Sequence, residues 1–249
     1  MSRIPFSILT ALLLGFFLAE WATPLGGGKR PVVVLAADFD SRGGDGTGSS
    51  TAPQADVGAF EILGPKSVFK VKAGLDGDGE LYISDIGAGA GATLRGEFTE
   101  EAAGRIIRFR MQVEPQQSTS GGFVTRAEDA GEGTMIDVEW GGGGLGHVKT
   151  GSSSNPGSGG DDGGGADFTY EGGVSYFTEL TIYNTVFGPA WYELTLDDGR
   201  SVQKVSGVLP GKIFNVEKFD LIRPSGASPG VFIVDDLSVV TSPQLGLGS

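Results

Sequence analysis

From Leu35 onward, short runs rich in Val, Ile, Phe, Tyr and Thr alternate with clusters of Gly, Asp, Ser and Pro. Such runs, bounded by turn residues, read as strands. They predict strands at Val33–Asp40, Phe60–Ile62, Ser67–Lys72, Leu81–Ile86, Ala92–Glu97, Arg105–Val113, Gly122–Arg126 and Thr134–Trp140. Further strands follow at Gly146–Lys149, Asp167–Tyr170, Tyr176–Phe187, Trp191–Asp197, Gln203–Val208, Lys218–Arg223 and Val231–Val240. No window sustains a 3.6-residue period, and Thr99–Gly104 fits a single helical turn at most. Short strands at this spacing predict an all-β sandwich or barrel.

Side chains alternate between the two faces of a strand, so parity assigns residues to faces. In the last strand Val231, Ile233, Asp235, Leu237 and Val239 share the more apolar face. Asp235 therefore needs a hydrogen-bonding or charged partner, because a bare buried carboxylate costs several kcal/mol. In Trp191–Leu196, Tyr192, Leu194 and Leu196 form the core face and Trp191, Glu193 and Thr195 the outer one.

The N-terminus follows a different pattern. Arg3 precedes an apolar run from Ile4 to Ala19, which Glu20 closes. A basic start followed by such a run reads as a secretory signal or a membrane anchor. Residues 23–31, with Pro24, Gly26, Gly27, Gly28 and Pro31, read as a linker, and Val34-Leu35-Ala36 suits a signal peptidase. The expected division is a signal or anchor with linker at 1–36, a β-domain at 37–241 and a short tail at 242–249. Gly141–Gly144 and Gly151–Gly165 are low in complexity and read as one Gly/Ser/Asp-rich loop at 141–165. No internal repeat marks a solenoid or propeller.

Composition narrows the chemistry. The chain has 249 residues, 31 acidic and 18 basic, with 44 glycines, one histidine and no cysteine. Without cysteine there is no disulfide, thiol nucleophile or thiolate metal site. The lone His147 excludes zinc centres that need several imidazoles. A formal charge of −13 argues against nucleic acid as a partner. An acidic, cysteine-free, exported domain suits the bacterial envelope or exterior, and a monomer is expected.

The first strand ends in Asp38-Phe39-Asp40, and the last reads Val231-Phe232-Ile233-Val234-Asp235-Asp236-Leu237-Ser238-Val239. Together they resemble the opening and closing strands of jelly-roll carbohydrate-binding modules and of laminin-G-like, concanavalin A-like domains. The resemblance implies an antiparallel jelly-roll β-sandwich with these two strands side by side. It also implies a structural calcium held by Asp235, with Asp38 or Asp40 nearby. Calcium takes about 6–8 oxygens, carbonyls included. Without metal, Asp235 would instead accept backbone N–H bonds from the first loop.

Thr134-Met135-Ile136-Asp137-Val138-Glu139-Trp140 is similar to the catalytic strand of family 16 glycoside hydrolases, where Glu, Asp and Glu alternate along one face. Alternation aims them into one cleft, and retaining hydrolysis needs carboxyls about 5–5.5 Å apart. Asp137 and Glu139 match the second and third members, but Met135 stands where the nucleophile belongs, and a thioether forms no glycosyl ester. A different acid/base pair would have to be sought, such as Glu139 with Glu179.

Other motifs dissolve on inspection. Gly226-Ala227-Ser228-Pro229-Gly230 has the spacing of a nucleophile elbow but leads into a strand, so it predicts a hairpin turn. Ile86 to Ala92 lacks the helix a dinucleotide fingerprint requires. Asp76-Gly77-Asp78-Gly79-Glu80 lacks the EF-hand glycine and reads as an acidic turn. The aromatic residues Trp140, Tyr170, Tyr176, Tyr183, Trp191 and Tyr192 are candidate sugar platforms, because a sugar's C–H face packs on a ring as apolar surface does.

These readings converge on an exported, non-catalytic binding module for carbohydrate or another extracellular polymer. Its candidate ligand residues are Trp140, Asp137, Glu139 and Trp191, and its metal candidates are Asp38, Asp40 and Asp235. A polysaccharide hydrolase or lyase on the same fold and a structural surface or matrix protein are the alternatives.

Overall fold

A computed structural model of the chain describes residues 31–39, 52–73, 79–84, 91–98, 105–117, 122–129, 134–152, 165–185, 188–209, 215–227 and 230–242. In chain order the strands begin with β1 (Val32–Ala37), β2 (Ala59–Leu63), β3 (Phe69–Ala73), β4 (Gly79–Ser84) and β5 (Ala92–Glu97). Next come β6 (Ile106–Pro115), β7 (Phe123–Asp129), β8 (Thr134–Trp140), β9 (Leu145–Ser152) and β10 (Ala166–Thr169). The last are β11 (Tyr176–Tyr183), β12 (Trp191–Asp197), β13 (Val202–Val208), β14 (Val216–Arg223) and β15 (Val231–Ser242).

Each run predicted from the sequence falls on one of these strands. They pair antiparallel in two sheets. Sheet A has the order β13-β12-β11-β6-β15-β4-β3, with β1 also pairing β15, and sheet B the order β10-β9-β8-β7-β14-β5-β2. The chain passes repeatedly between the sheets, so β15 sits beside β6 and β14 beside β7. This is an antiparallel jelly-roll sandwich, the expected fold class.

Alternation builds the core between the sheets. On β6, Ile107, Phe109, Met111 and Val113 are buried, while Arg108, Arg110 and Gln112 face out. Rings from the two sheets meet in pairs: Phe109 and Phe219 at 5.1 Å, Phe123 and Phe232 at 5.2 Å, Trp140 and Tyr176 at 5.9 Å. Burying each such side chain contributes about 1.5–3 kcal/mol. Gly146 is required by this packing, because a Cβ there would enter the ring of Phe168.

The opening and closing strands lie side by side, with Val32 opposite Thr241 and Ala37 opposite Leu237. Val34 and Leu35 are fully buried, so the boundary expected after Ala36 falls inside a core strand. The expected face of β15 is corrected. Phe232 and Val234 point inward, then Leu237, Val239 and Thr241 do, and Asp235 lies half-exposed. The parity switches because Asp236 adopts a left-handed φ of 51° and the register shifts between Asp235 and Ser238. A bulge of this kind inserts one residue and turns every later side chain over.

Gly226, with φ of 69°, sits in a turn that carries the chain from β14 in sheet B to β15 in sheet A. It therefore joins two sheets and does not close a hairpin. Ser228, the remaining fingerprint residues 86–90, the helical-turn segment 99–104, the acidic turn at 76–78 and loop residues 153–164 lie outside the described residues, as does the N-terminal segment 1–30.

Candidate functional site

The sandwich has two outer faces, and the expected ligand residues divide between them. On β8 in sheet B, Ile136, Val138 and Trp140 point into the core, and Met135, Asp137 and Glu139 point out. Trp140 is 1% exposed and packs edge-on against Phe168 at 5.3 Å and Tyr170 at 5.2 Å. It is a core residue with no ring face left for a ligand, which corrects its expected role.

Register places the outward charges of sheet B in one row. Glu61 of β2 lies opposite Arg95 of β5, which lies opposite Asp220 of β14. Asp220 faces Arg126 of β7, which faces Asp137 of β8, which faces Lys149 of β9. Signs alternate across six strands. Arg126 donates two bonds of 2.7 Å to the two carboxylate oxygens of Asp137. Arg95 does the same to Asp220 at 3.0 and 2.9 Å. These hydrogen bonds raise both guanidinium pKa values further above their ordinary range. Planar two-point pairing of this kind is the strong form of the ion pair. Glu139 is taken up by Lys149, whose Nζ is 2.6 Å away. Beside it His147 Nδ1 lies 2.6 Å from Asp167 Oδ1.

Asp137 and Glu139 are thus brought together on one face, but each is occupied by a cation. Glu179 belongs to β11 in sheet A and points out of the opposite face. Glu139 and Glu179 are separated by the whole core and form no acid/base pair.

The outer face of sheet A carries Trp191. This ring is 38% exposed and stacks on Tyr183 at 3.9 Å with an 8° interplanar angle. The two are direct cross-strand neighbours, and the same row runs from Ile106 on β6 to Val208 on β13, itself 52% exposed. The adjacent row holds Arg108, Thr181, Glu193 and Ser206, and the next Arg110, Glu179, Thr195 and Lys204. Glu179 accepts hydrogen bonds from Arg110 and from Thr181 Oγ1, the latter at 3.1 Å, with Arg108 Nε 3.9 Å away. Lys204 Nζ lies 3.0 Å from Glu193. Sequence reasoning named Trp191 and Tyr183 but missed Arg108 and Arg110. The alternation from Ile106 to Val113 puts both arginines on one face, which is the signal that was present.

Two of the three expected metal residues, Asp38 and Asp235, lie near the end of the β1–β15 pairing, where Ala37 stands opposite Leu237. Asp38 follows β1 directly, and its backbone N–H donates to Asp56 Oδ2 at 3.0 Å. Asp235 Oδ1 accepts the N–H of Asp236 at 2.9 Å, and Asp236 Oδ2 accepts from Gln112 at 2.8 Å. Asp40 lies outside the described residues. Among the described residues no three carboxylate or imidazole side chains converge as a metal ion requires.

No protein-family model matches the chain, and no curated protein does. Solved structures do resemble it in shape. An alginate lyase from Aplysia kurodai superposes with a TM-score of 0.56 at 12% identity, over 74% of this chain and 90% of that one. An endo-β-1,3-glucanase from Pyrococcus furiosus gives 0.54 at 11% identity, over 86% and 95%. A cellulose-induced protein gives 0.51 at 14% identity, over 86% and 99%. What these chains share with this one is the antiparallel β-sandwich fold.

Proposed function

We propose that this protein is an exported glycan-binding module that works without catalysis, and that it binds on the outer face of sheet A. The observation that carries this reading is the exposed Trp191 stacked on Tyr183, standing beside a row that presents Glu193 and Ser206. An aromatic surface receives the C–H face of a sugar, and neighbouring hydroxyl and carboxylate groups fix its hydroxyls. The sandwich neighbours that act on alginate and β-1,3-glucan support a glycan as ligand. The basic start and apolar run at the N-terminus support export.

The absence of catalysis rests on the state of the carboxylates. Asp137, Glu139 and Glu179 each already engage a cation, and Glu139 and Glu179 project from opposite faces. The reading keeps Trp191 and moves the ligand set away from Asp137 and Glu139.

The test is depletion of the protein from solution by insoluble and immobilised polysaccharides, with assay of the supernatants for released sugar. Depletion without release is expected, and Trp191→Ala should weaken it by about tenfold, the loss of one stacking contact. Release of sugar, reducing or unsaturated, would refute the non-catalytic reading.

A further inference from the structure

We infer that the sheet A face selects neutral glycans and rejects acidic ones; this rests on the reading of that face as the glycan site. On β6, β11, β12 and β13 the described outward cations are Arg108, Arg110 and Lys204. Each already lies beside a carboxylate of the same face. Arg110 hydrogen-bonds Glu179, Arg108 lies 3.9 Å from the same carboxylate, and Lys204 lies 3.0 Å from Glu193. The outward carboxylates on these strands are Glu114, Glu179, Glu193 and Asp197. On these four strands anions therefore outnumber cations by four to three.

A uronate or sulfated sugar would compete with these carboxylates for the same cations and lie beside like charges. The protein as a whole adds a formal charge of −13, which repels a polyanion before contact. A neutral sugar meets neither obstacle. Its hydroxyls donate to Glu193 and exchange bonds with Ser206, both in the row next to Trp191. Its apolar face packs on Trp191. Binding built this way releases no counterions, so it is insensitive to salt, unlike recognition of a polyanion by lysine and arginine.

Affinity electrophoresis of the full chain at neutral pH reads this directly. The gels would contain β-1,3-glucan, xylan or mannan as neutral probes and alginate or polygalacturonate as acidic ones, at about 0.02 and about 0.5 M NaCl. Retardation by at least one neutral probe is expected, with affinity constant within about twofold across that salt range. Trp191→Ala should reduce it by about tenfold, with Trp191→Phe intermediate. Retardation by an acidic probe alone, falling steeply with salt yet still lost in Trp191→Ala, would overturn the neutral preference and leave the glycan site standing. Binding that Trp191→Ala leaves unchanged would overturn the site, and no retardation by any probe would overturn the glycan reading itself.

Discussion

Asp137 is the residue on which the resemblance to a catalytic strand and the observed structure differ most, and Asp137→Asn separates them. The substitution keeps shape and volume but removes the charge that accepts two bonds of 2.7 Å from Arg126. Breaking a fully buried ion pair costs about 3–5 kcal/mol, and breaking an exposed one about 0–1 kcal/mol. This pair lies between, since the Asp137 side chain is 10% exposed and that of Arg126 is 29%. Arg126 also keeps Asp220 as a cross-strand neighbour, which offsets part of the lost attraction. A cost of ~2 kcal/mol follows, in line with hydrogen bonds to charged groups.

For a domain of this size that corresponds to a fall in Tm of about 4–8 °C. Arg126→Met should cost more, because it strands a buried carboxylate, and the double variant should recover part of the sum. Thermal and urea unfolding followed by circular dichroism measure all three, and glycan retardation measures the consequence for binding. The expected pattern is lower stability with binding intact at temperatures where the variant is folded. An Asp137→Asn protein with unchanged Tm and abolished binding or turnover would refute the reasoning and place a ligand on sheet B.

Four of the five tyrosines carry raised pKa values, Tyr82 to about 12 through burial and the neighbouring Glu80, and Tyr170, Tyr176 and Tyr192 through burial. A phenol whose folded pKa exceeds its unfolded value near 10 contributes stability that is complete below that pH and lost as pH rises through the folded value. Absorbance at 295 nm should therefore show most tyrosines ionising above pH 10, together with unfolding, and simple titration of all five near 10 in a folded protein would contradict this. If Asp235 with Asp38 or Asp40 holds a structural calcium, Tm should be higher in calcium than in EDTA, and agreement within about 1 °C would refute that expectation.

Strands and their faces were legible because they depend on neighbours one or two residues away. The runs of Val, Ile, Phe and Tyr gave the sandwich, and the parity of Tyr192, Leu194 and Leu196 put Trp191 outside. Parity also held the answer for Trp140, which shares the inward face of β8 with Ile136 and Val138; its promise as an aromatic platform outweighed that signal. What local pattern cannot carry is which sheet a strand joins and in what register. Arg95 meets Asp220 across 125 residues of chain, and Arg110 meets Glu179 across 69. Nothing within either segment specifies those partners. The same limit split the expected site, since Asp137 and Trp191 are each correctly placed as outward residues yet stand on opposite faces of the molecule. The bulge at Asp236 is a subtler case. An aspartate tolerates the left-handed region better than most residues, and the Asp-Asp pair in an apolar run was visible. Its effect, however, is to let Phe232 and Val234 before it and Leu237 and Val239 after it all reach the core. Simple alternation assigns those two pairs to opposite faces, so only the pairing of β15 with β6 and β1 reveals that one residue has been inserted between them.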